Sequence, residues 1–264
     1  MFASNPFSEL STSISPLVMQ VYVILMIVLV VGSTVLDMIH KKSARYFFEN
    51  SKKAEAARER ELGSGEKVSI AIKTVAEDVL TSAEFCNPNR RIAHLLTMYG
   101  FVFFVATTAI MIFAYPTPDS ATPAILPVLW HLGALMVCVG GYWFWFFIRA
   151  DVAAEGNPWY RIIRADLFIL SMLATTTFGL IWSIFQMAGA ATLTTLFVVL
   201  FIISSTILFG GVLWSKFAHM FFKPAAAYQK RVIKADGSRE NLPAPADAPE
   251  KFGLGIKREL PRHY

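Results

Sequence analysis

The chain has 264 residues, 55% of them hydrophobic and only 16% charged, with 22 Phe and a mean hydropathy of +0.50. That composition excludes most soluble classes. Unbroken apolar runs recur five times, where a soluble core would show periodic patterns instead. The net charge of +5 and the pI near 9.2 do not point to nucleic acid. The basic residues flank the apolar runs, mix with acids as in KKAEAARERE, and come with no groove-reading motif. Two well-separated cysteines, Cys86 and Cys138, suit neither a four-cysteine metal site nor a disulfide framework. Any metal is expected through His or inside a cofactor.

In chain order, the opening MFASNPFSELSTSIS has no basic stretch ahead of its apolar residues, so its first apolar run is expected to stay as a membrane helix. Spans are expected at Leu17–Leu36, Ile92–Tyr115, Val128–Ile148, Leu167–Met187 and Leu193–Trp214. Each is long enough, at ~1.5 Å per residue, to cross ~30 Å of hydrocarbon. The expected fold is an all-α integral membrane bundle of five transmembrane helices. It divides into an outer segment with the first span (1–36), a cytoplasmic helical region (37–91), a four-span core (92–223) and a Pro-rich cytoplasmic tail (224–264). Eleven Lys and Arg lie in 37–91, three in 149–166 and ten in 215–264, which accounts for all 24. The positive-inside rule then puts the N-terminus outside and the C-terminus in the cytoplasm, as expected for a multi-pass protein of the cytoplasmic (inner) membrane.

Residues 37–91 read as two helices broken at Gly63-Ser64-Gly65, the second with Val68, Ile72, Val75 and Val79 on one face. Such a face needs cover, from the membrane surface, the chain's own spans or a partner subunit. The tail carries Pro243, Pro245, Pro249 and Pro261 and is expected to be an extended arm, with FGLGIKREL supplying some apolar anchors. No internal repeat is evident, and an odd number of spans suits inverted-repeat transporters poorly.

Ionisable groups near spans are costly unless partnered or functional. No Asp, Glu, Lys or Arg falls near the middle of any expected span, which argues against a proton relay. The histidines carry more. His94, in NRRIAHLLTMYGF, and His219, in WSKFAHMFFKP, sit at the cytoplasmic ends of the second and fifth spans. Two neutral imidazoles from different helices at one depth are the donor set of a b-type haem. Arg90, Arg91, Lys216 and Lys223 stand near for propionates or a quinone, and Gly100 leaves room beside a macrocycle. The same two His also suit a basic interfacial belt. His131, in ILPVLWHLGAL, is open to three readings: an interhelical hydrogen-bonded residue, a quinone contact or a second-site ligand. His40 is a membrane-edge residue or a quinone contact, and His263 a solvated one.

On RRIAHLLTMYGF, on YPTP with HLGALMVCVGG and Arg149, on RADLFILSMLATTTFG and most specifically on SKFAHMFFKP, the stretch from about Asp78 to Pro224 resembles one family. It is the five-span membrane b-type cytochrome group. That group includes nitrate reductase gamma subunits, heterodisulfide reductase membrane subunits and the membrane subunit of quinone-interacting oxidoreductases. Within it, a compact chain without iron–sulfur cysteines is similar to membrane anchors of dissimilatory adenylylsulfate reductases. The resemblance implies that His94 and His219 ligate one haem b per chain. The family's second pair would fall about three helical turns along the second span and about five turns before the last His. Those positions hold Phe104 and Phe201 here.

The resemblance further implies a membrane anchor and electron-transfer subunit, non-catalytic or quinone-reacting. It would link soluble flavin and iron–sulfur oxidoreductase subunits at the cytoplasmic face to the quinone pool, in sulfur metabolism if the partner is adenylylsulfate reductase. A quinone near His94, His219, His40 and Arg90–Arg91 would react in the inner half of the membrane, whereas one near His131 would move charge across it. Two alternatives stay open: a haem-free anchor for the same kind of enzyme, and a small-solute transporter resting only on hydroxyl-bearing runs such as ATTTFG and ISSTILFGG.

Overall fold

The computed structural model describes residues 3–83, 85, 87–215, 217 and 219–238, with the side chains at 41, 43, 44, 150, 151 and 219 outside that description. Among the described residues every regular element is helical. They are α1 (Pro6–Leu10), α2 (Pro16–Lys41), α3 (Ser43–Ala56), α4 (Ser64–Lys73, continued as a π-helix to Leu80), α5 (Pro88–Ala114), α6 (Ile125–Trp143, continued as a π-helix to Ile148), α7 (Ala150–Ala153), α8 (Leu167–Met187, after a 3₁₀ turn at Arg164–Asp166), α9 (Ala191–Gly210) and α10 (His219–Asp236). The chain forms two compact units, one drawn from Met1–Leu36 and Ile92–Ala218, the other from Asp37–Arg91 and His219–Tyr264.

Five of these stretches are long and apolar enough to cross a membrane: Pro16–His40, Pro88–Ala114, Ile125–Ile148, Arg164–Met187 and Ala191–Gly210. The shortest, 20 residues, still reaches about 30 Å. Local chemistry moves the ends from those expected. The second stretch starts at Pro88 because the Asn87 side chain caps it, accepting from the amides of Asn89 at 2.9 Å and Arg90 at 3.3 Å. The fifth stops at Gly210, four residues before Trp214, where the Gly211 amide closes the last turn on the Ile207 carbonyl at 2.8 Å.

The first unit is tied by backbone approach. A Cβ built on Gly100 of α5 would lie 2.6 Å from the Gly133 carbonyl of α6, one on Gly133 would lie 2.7 Å from the Gly100 carbonyl, and one on Gly140 would lie 2.6 Å from the Ala93 carbonyl. Only hydrogen fits at these crossings, which leaves the two backbones in direct contact. Gly100 therefore opens no space for a macrocycle, contrary to expectation, because its bare face is filled by α6. α8 packs against both α6 and α9. The outer faces of α2, α5, α6 and α9 carry exposed Leu, Ile and Val such as Ile24, Val102, Leu135 and Leu196, as a lipid-facing surface requires.

Polar side chains add the remaining ties. On α2, Tyr22 meets the hydroxyls of Ser205 at 2.7 Å and Thr206 at 3.0 Å and donates to the Ile202 carbonyl, while Gln20 donates to the Ile112 carbonyl at 3.2 Å. Ahead of α1, Asn5 caps that helix through Phe7 and Ser8 and donates to the Tyr115 carbonyl and Thr122 hydroxyl. This anchorage delivers Phe7 into the bundle interior, where it is 3% exposed.

In the second unit the break between α3 and α4 falls at 57–63, earlier than Gly63-Ser64-Gly65. The chain leaves the helix there because the amides of Glu59 and Arg60 donate to the Asp236 carbonyl at 2.9 and 3.2 Å, and Arg60 Nε to the Ala235 carbonyl at 2.9 Å. Residues 224–236, expected in an extended arm, are helical. The run AAAYQKRVIK is rich in strong helix formers, which outweigh the cost of Pro224 inside α10. The remainder of the tail, including Pro243, Pro245, Pro249, Pro261 and FGLGIKREL, lies outside the described residues. Arg231 donates to Asp78 at 2.5 and 2.9 Å and to Glu77 at 2.8 Å. Asp78, then Glu77, hold its guanidinium above its already high ordinary value, so it stays charged throughout. Val68, Ile72 and Val75 of the expected apolar face are 58%, 65% and 51% exposed.

The glycine crossings are directly testable. Gly133→Val is expected to lower stability by about 1–3 kcal/mol or more through overpacking. Gly32→Ala, where a Cβ meets nothing within 4 Å, is expected to leave the thermal midpoint in detergent unchanged or raised. Equal midpoints for the two variants would show that the crossings are not tight.

Candidate functional site

His94 is the seventh residue of α5 and half-buried, and it has a partner. His219 is the first residue of α10, in the other unit. Its side chain and the whole of Lys216 and Cys86 lie outside the described residues. The basic residues named for this region are locally engaged. The Arg91 Nε donates to the Thr81 carbonyl at 2.7 Å, and Arg90 and Lys223 approach the same Phe85 ring at 5.8 and 5.0 Å. His40 is exposed in the last turn of α2. Among the described residues no three His, Cys, Asp or Glu gather as a metal cluster.

His131 is set in the interior, 3% exposed. Its Nδ1 lies 2.7 Å from the Pro127 carbonyl one turn earlier on α6, and its Nε2 lies 2.8 Å from the Ser183 hydroxyl of α8. A carbonyl can only accept, so Nδ1 carries the proton and Nε2 accepts from Ser183. The Pro127 carbonyl lies within α6 and has two lone pairs, so it can accept from this side chain as well as from a backbone amide. The arrangement is that of an interhelical hydrogen-bonded residue. A quinone or iron contact through Nε2 requires the Ser183 bond to open.

Phe104 and Phe201 are 4% and 8% exposed and belong to one aromatic cluster. Phe104 stacks on Trp130 at 5.1 Å, and Phe201 lies 5.4 Å from Trp182 and 6.4 Å from Phe104. Phe7 closes the cluster edge-on to Trp130 at 5.8 Å and to Trp182 at 5.3 Å. Trp130 donates its indole N–H to Thr108 at 2.9 Å. Five large rings thus fill the interior between α5, α6, α8 and α9.

One constellation escaped the reading of the sequence. Arg149, 4% exposed, donates from Nη1 to Asp166 at 2.9 Å and from Nη2 to the Arg161 carbonyl, and its guanidinium lies 4.1 Å from the Trp145 ring centroid. Asp166 also accepts from the Ile163 amide at 3.0 Å. The pair sits where α6 hands over to α8 and closes the 149–166 loop. Its only trace in the sequence is an acid and a base at facing span ends.

Removing one member of a buried pair leaves a desolvated charge. Arg149→Met is therefore expected to cost about 3–5 kcal/mol, and Arg149→Met with Asp166→Leu to recover much of it. Unfolding of both variants in detergent checks this, and additive losses would contradict it. Ser183→Ala is expected to cost about 0.6 kcal/mol, and less than about 1.7 kcal/mol, the range of interhelical hydrogen bonds in membranes. Its effect should be absent in a His131→Leu background. No family model, curated protein or solved structure matches the chain.

Proposed function

We propose that the chain is the membrane anchor and electron-transfer subunit of an oxidoreductase complex of the cytoplasmic membrane. In this reading it connects a soluble flavin and iron–sulfur enzyme to the quinone pool through a single haem b held by His94 and His219. The observation that carries it is a contrast between two positions on α5. His94 is half-buried near the helix start, while Phe104 farther along is sealed into aromatic packing with Phe201. The donor chemistry fits the group, since imidazole nitrogens hold haem iron without any cysteine. Haem b, when bound, supplies reversible one-electron carriage.

The chain's own residues have separate tasks. His94 and His219 would each offer an imidazole nitrogen as a ligand. Arg90, Arg91 and Lys216 would supply positive charge for carboxylates or a quinone. The aromatic cluster keeps the rest of the interior dry and closed. The distribution of Lys and Arg supports an arrangement with residues 37–91 and the tail in the cytoplasm, where a soluble partner would dock. The soluble enzyme, adenylylsulfate reductase in the closest resemblance, would perform the substrate chemistry. A haem-free anchor is the second reading, favoured by the occupied face of Gly100.

The reduced-minus-oxidised visible spectrum of the purified chain tests the proposal. A haem b band lost in both His94→Ala and His219→Ala, and kept in His131→Leu, is the expected result. No band after expression with ample haem would leave the anchor reading, and a band insensitive to His94 and His219 would contradict the ligand assignment.

A further inference from the structure

A cavity in the first unit has no place in the reading above. It is open, has a volume of about 460 Å³, and is lined by Ile162, Ile163, Arg164, Leu167, Leu170 and Trp214. That volume is in the range of small-ligand sites, about 300–1,000 Å³. Five of its six walls are apolar and one is a cation. It lies at the start of the fourth span and just past the end of the fifth span, α9, the depth at which hydrocarbon gives way to headgroups.

The three arginines of the 149–166 segment are used differently. Arg149 is buried against Asp166 at 2.9 Å, and Arg161 lies 3.8 Å from Glu155. Arg164 is exposed and makes no ion pair or side-chain hydrogen bond among the described residues. A guanidinium left at the rim of an apolar cavity favours an anion with two oxygens to offer, and phosphate matches that fork. Around it, Trp159, Tyr160, Ile162 and Trp214 are 52%, 65%, 63% and 63% exposed. Amphipathic rings of this kind settle among lipid headgroups.

We propose that this cavity binds an anionic phospholipid, with the phosphate on Arg164 and an acyl chain along Leu167, Leu170, Ile162 and Trp214. The apolar walls commit the site to a lipid and not to free phosphate, which would use Arg164 alone. The site does not require haem: neither His94 nor His219 lines it, although Trp214 opens the WSKFAHMFFKP stretch that carries His219. It gives the start of α8 a fixed lipid partner where the loop ends.

The test is native mass spectrometry of the full chain in neutral detergent, titrated with phosphatidylglycerol and phosphatidylcholine of matched acyl chains. A preference for phosphatidylglycerol of about fivefold or more is expected, since one basic residue near an anionic headgroup contributes on that order. Arg164→Gln should reduce the preference to within twofold and Arg164→Lys should keep most of it. Leu170→Trp, which fills the cavity, should weaken both lipids. Millimolar inorganic phosphate should not displace bound phosphatidylglycerol. Equal binding of the two lipids, a preference that survives Arg164→Gln, or displacement by inorganic phosphate alone would each overturn the proposal.

Discussion

Lipid tails are as apolar as leucine, so this bundle gains little by burying its spans against one another and depends on how closely they approach. The crossings of α5 and α6 at Gly100, Gly133 and Gly140 bring the backbones into direct contact, with carbonyl oxygens nearer than a Cβ would tolerate. These contacts set the depth and rotation of α5, and so decide which of its residues face inward. Ala93, Phe104, Thr107 and Met111 are buried as a result, while Val102 and Ile110 face out. The polar ties of Tyr22, Gln20, His131 and Trp130 then add bonds whose alternatives in hydrocarbon are poor.

The same rotation governs the interior's chemistry. With Phe104 turned toward Trp130 and Phe201, and Phe7 inserted from the N-terminal segment, the space is occupied by rings and by one satisfied histidine. The proposed function rests on what the sequence places at the expected span ends, His94 and His219 with Lys and Arg near them in the chain, and on the absence of Asp, Glu, Lys and Arg from the middle of any expected span. Charge at span ends is handled in three ways. Arg149 is neutralised by Asp166, Arg91 is tied to the Thr81 carbonyl, and Arg164 is left facing an apolar cavity.

How much of this could be read beforehand depended on the range of the interaction. Five long apolar runs specify five membrane-length helices directly, because backbone groups in lipid have few other ways to be satisfied. The helix ends depended on single residues: Asn87 started α5 earlier than its apolar run, and Gly211 stopped α9 before Trp214. The helix through Pro224 reflects three alanines and their neighbours outweighing one proline. Gly100 was misjudged because a small residue looks the same in sequence whether it borders empty space or another backbone. The Arg149–Asp166 pair, the Phe7 insertion and the His131–Ser183 bond join residues far apart in the chain, and no local pattern encodes such partners. The His94 and His219 positions came from the spacing and the family resemblance, and the aromatic character of 104 and 201 gained its meaning only once their mutual packing was visible.

The proposal of a single haem rests on Phe104 and Phe201, where the resemblance would place a second ligand pair, being packed into the aromatic cluster. Haem and protein quantified together in the purified chain test it most directly. The account predicts a ratio near one. A ratio near two would contradict the packing argument, and a ratio of zero with ample haem supply would contradict the electron-transfer reading itself.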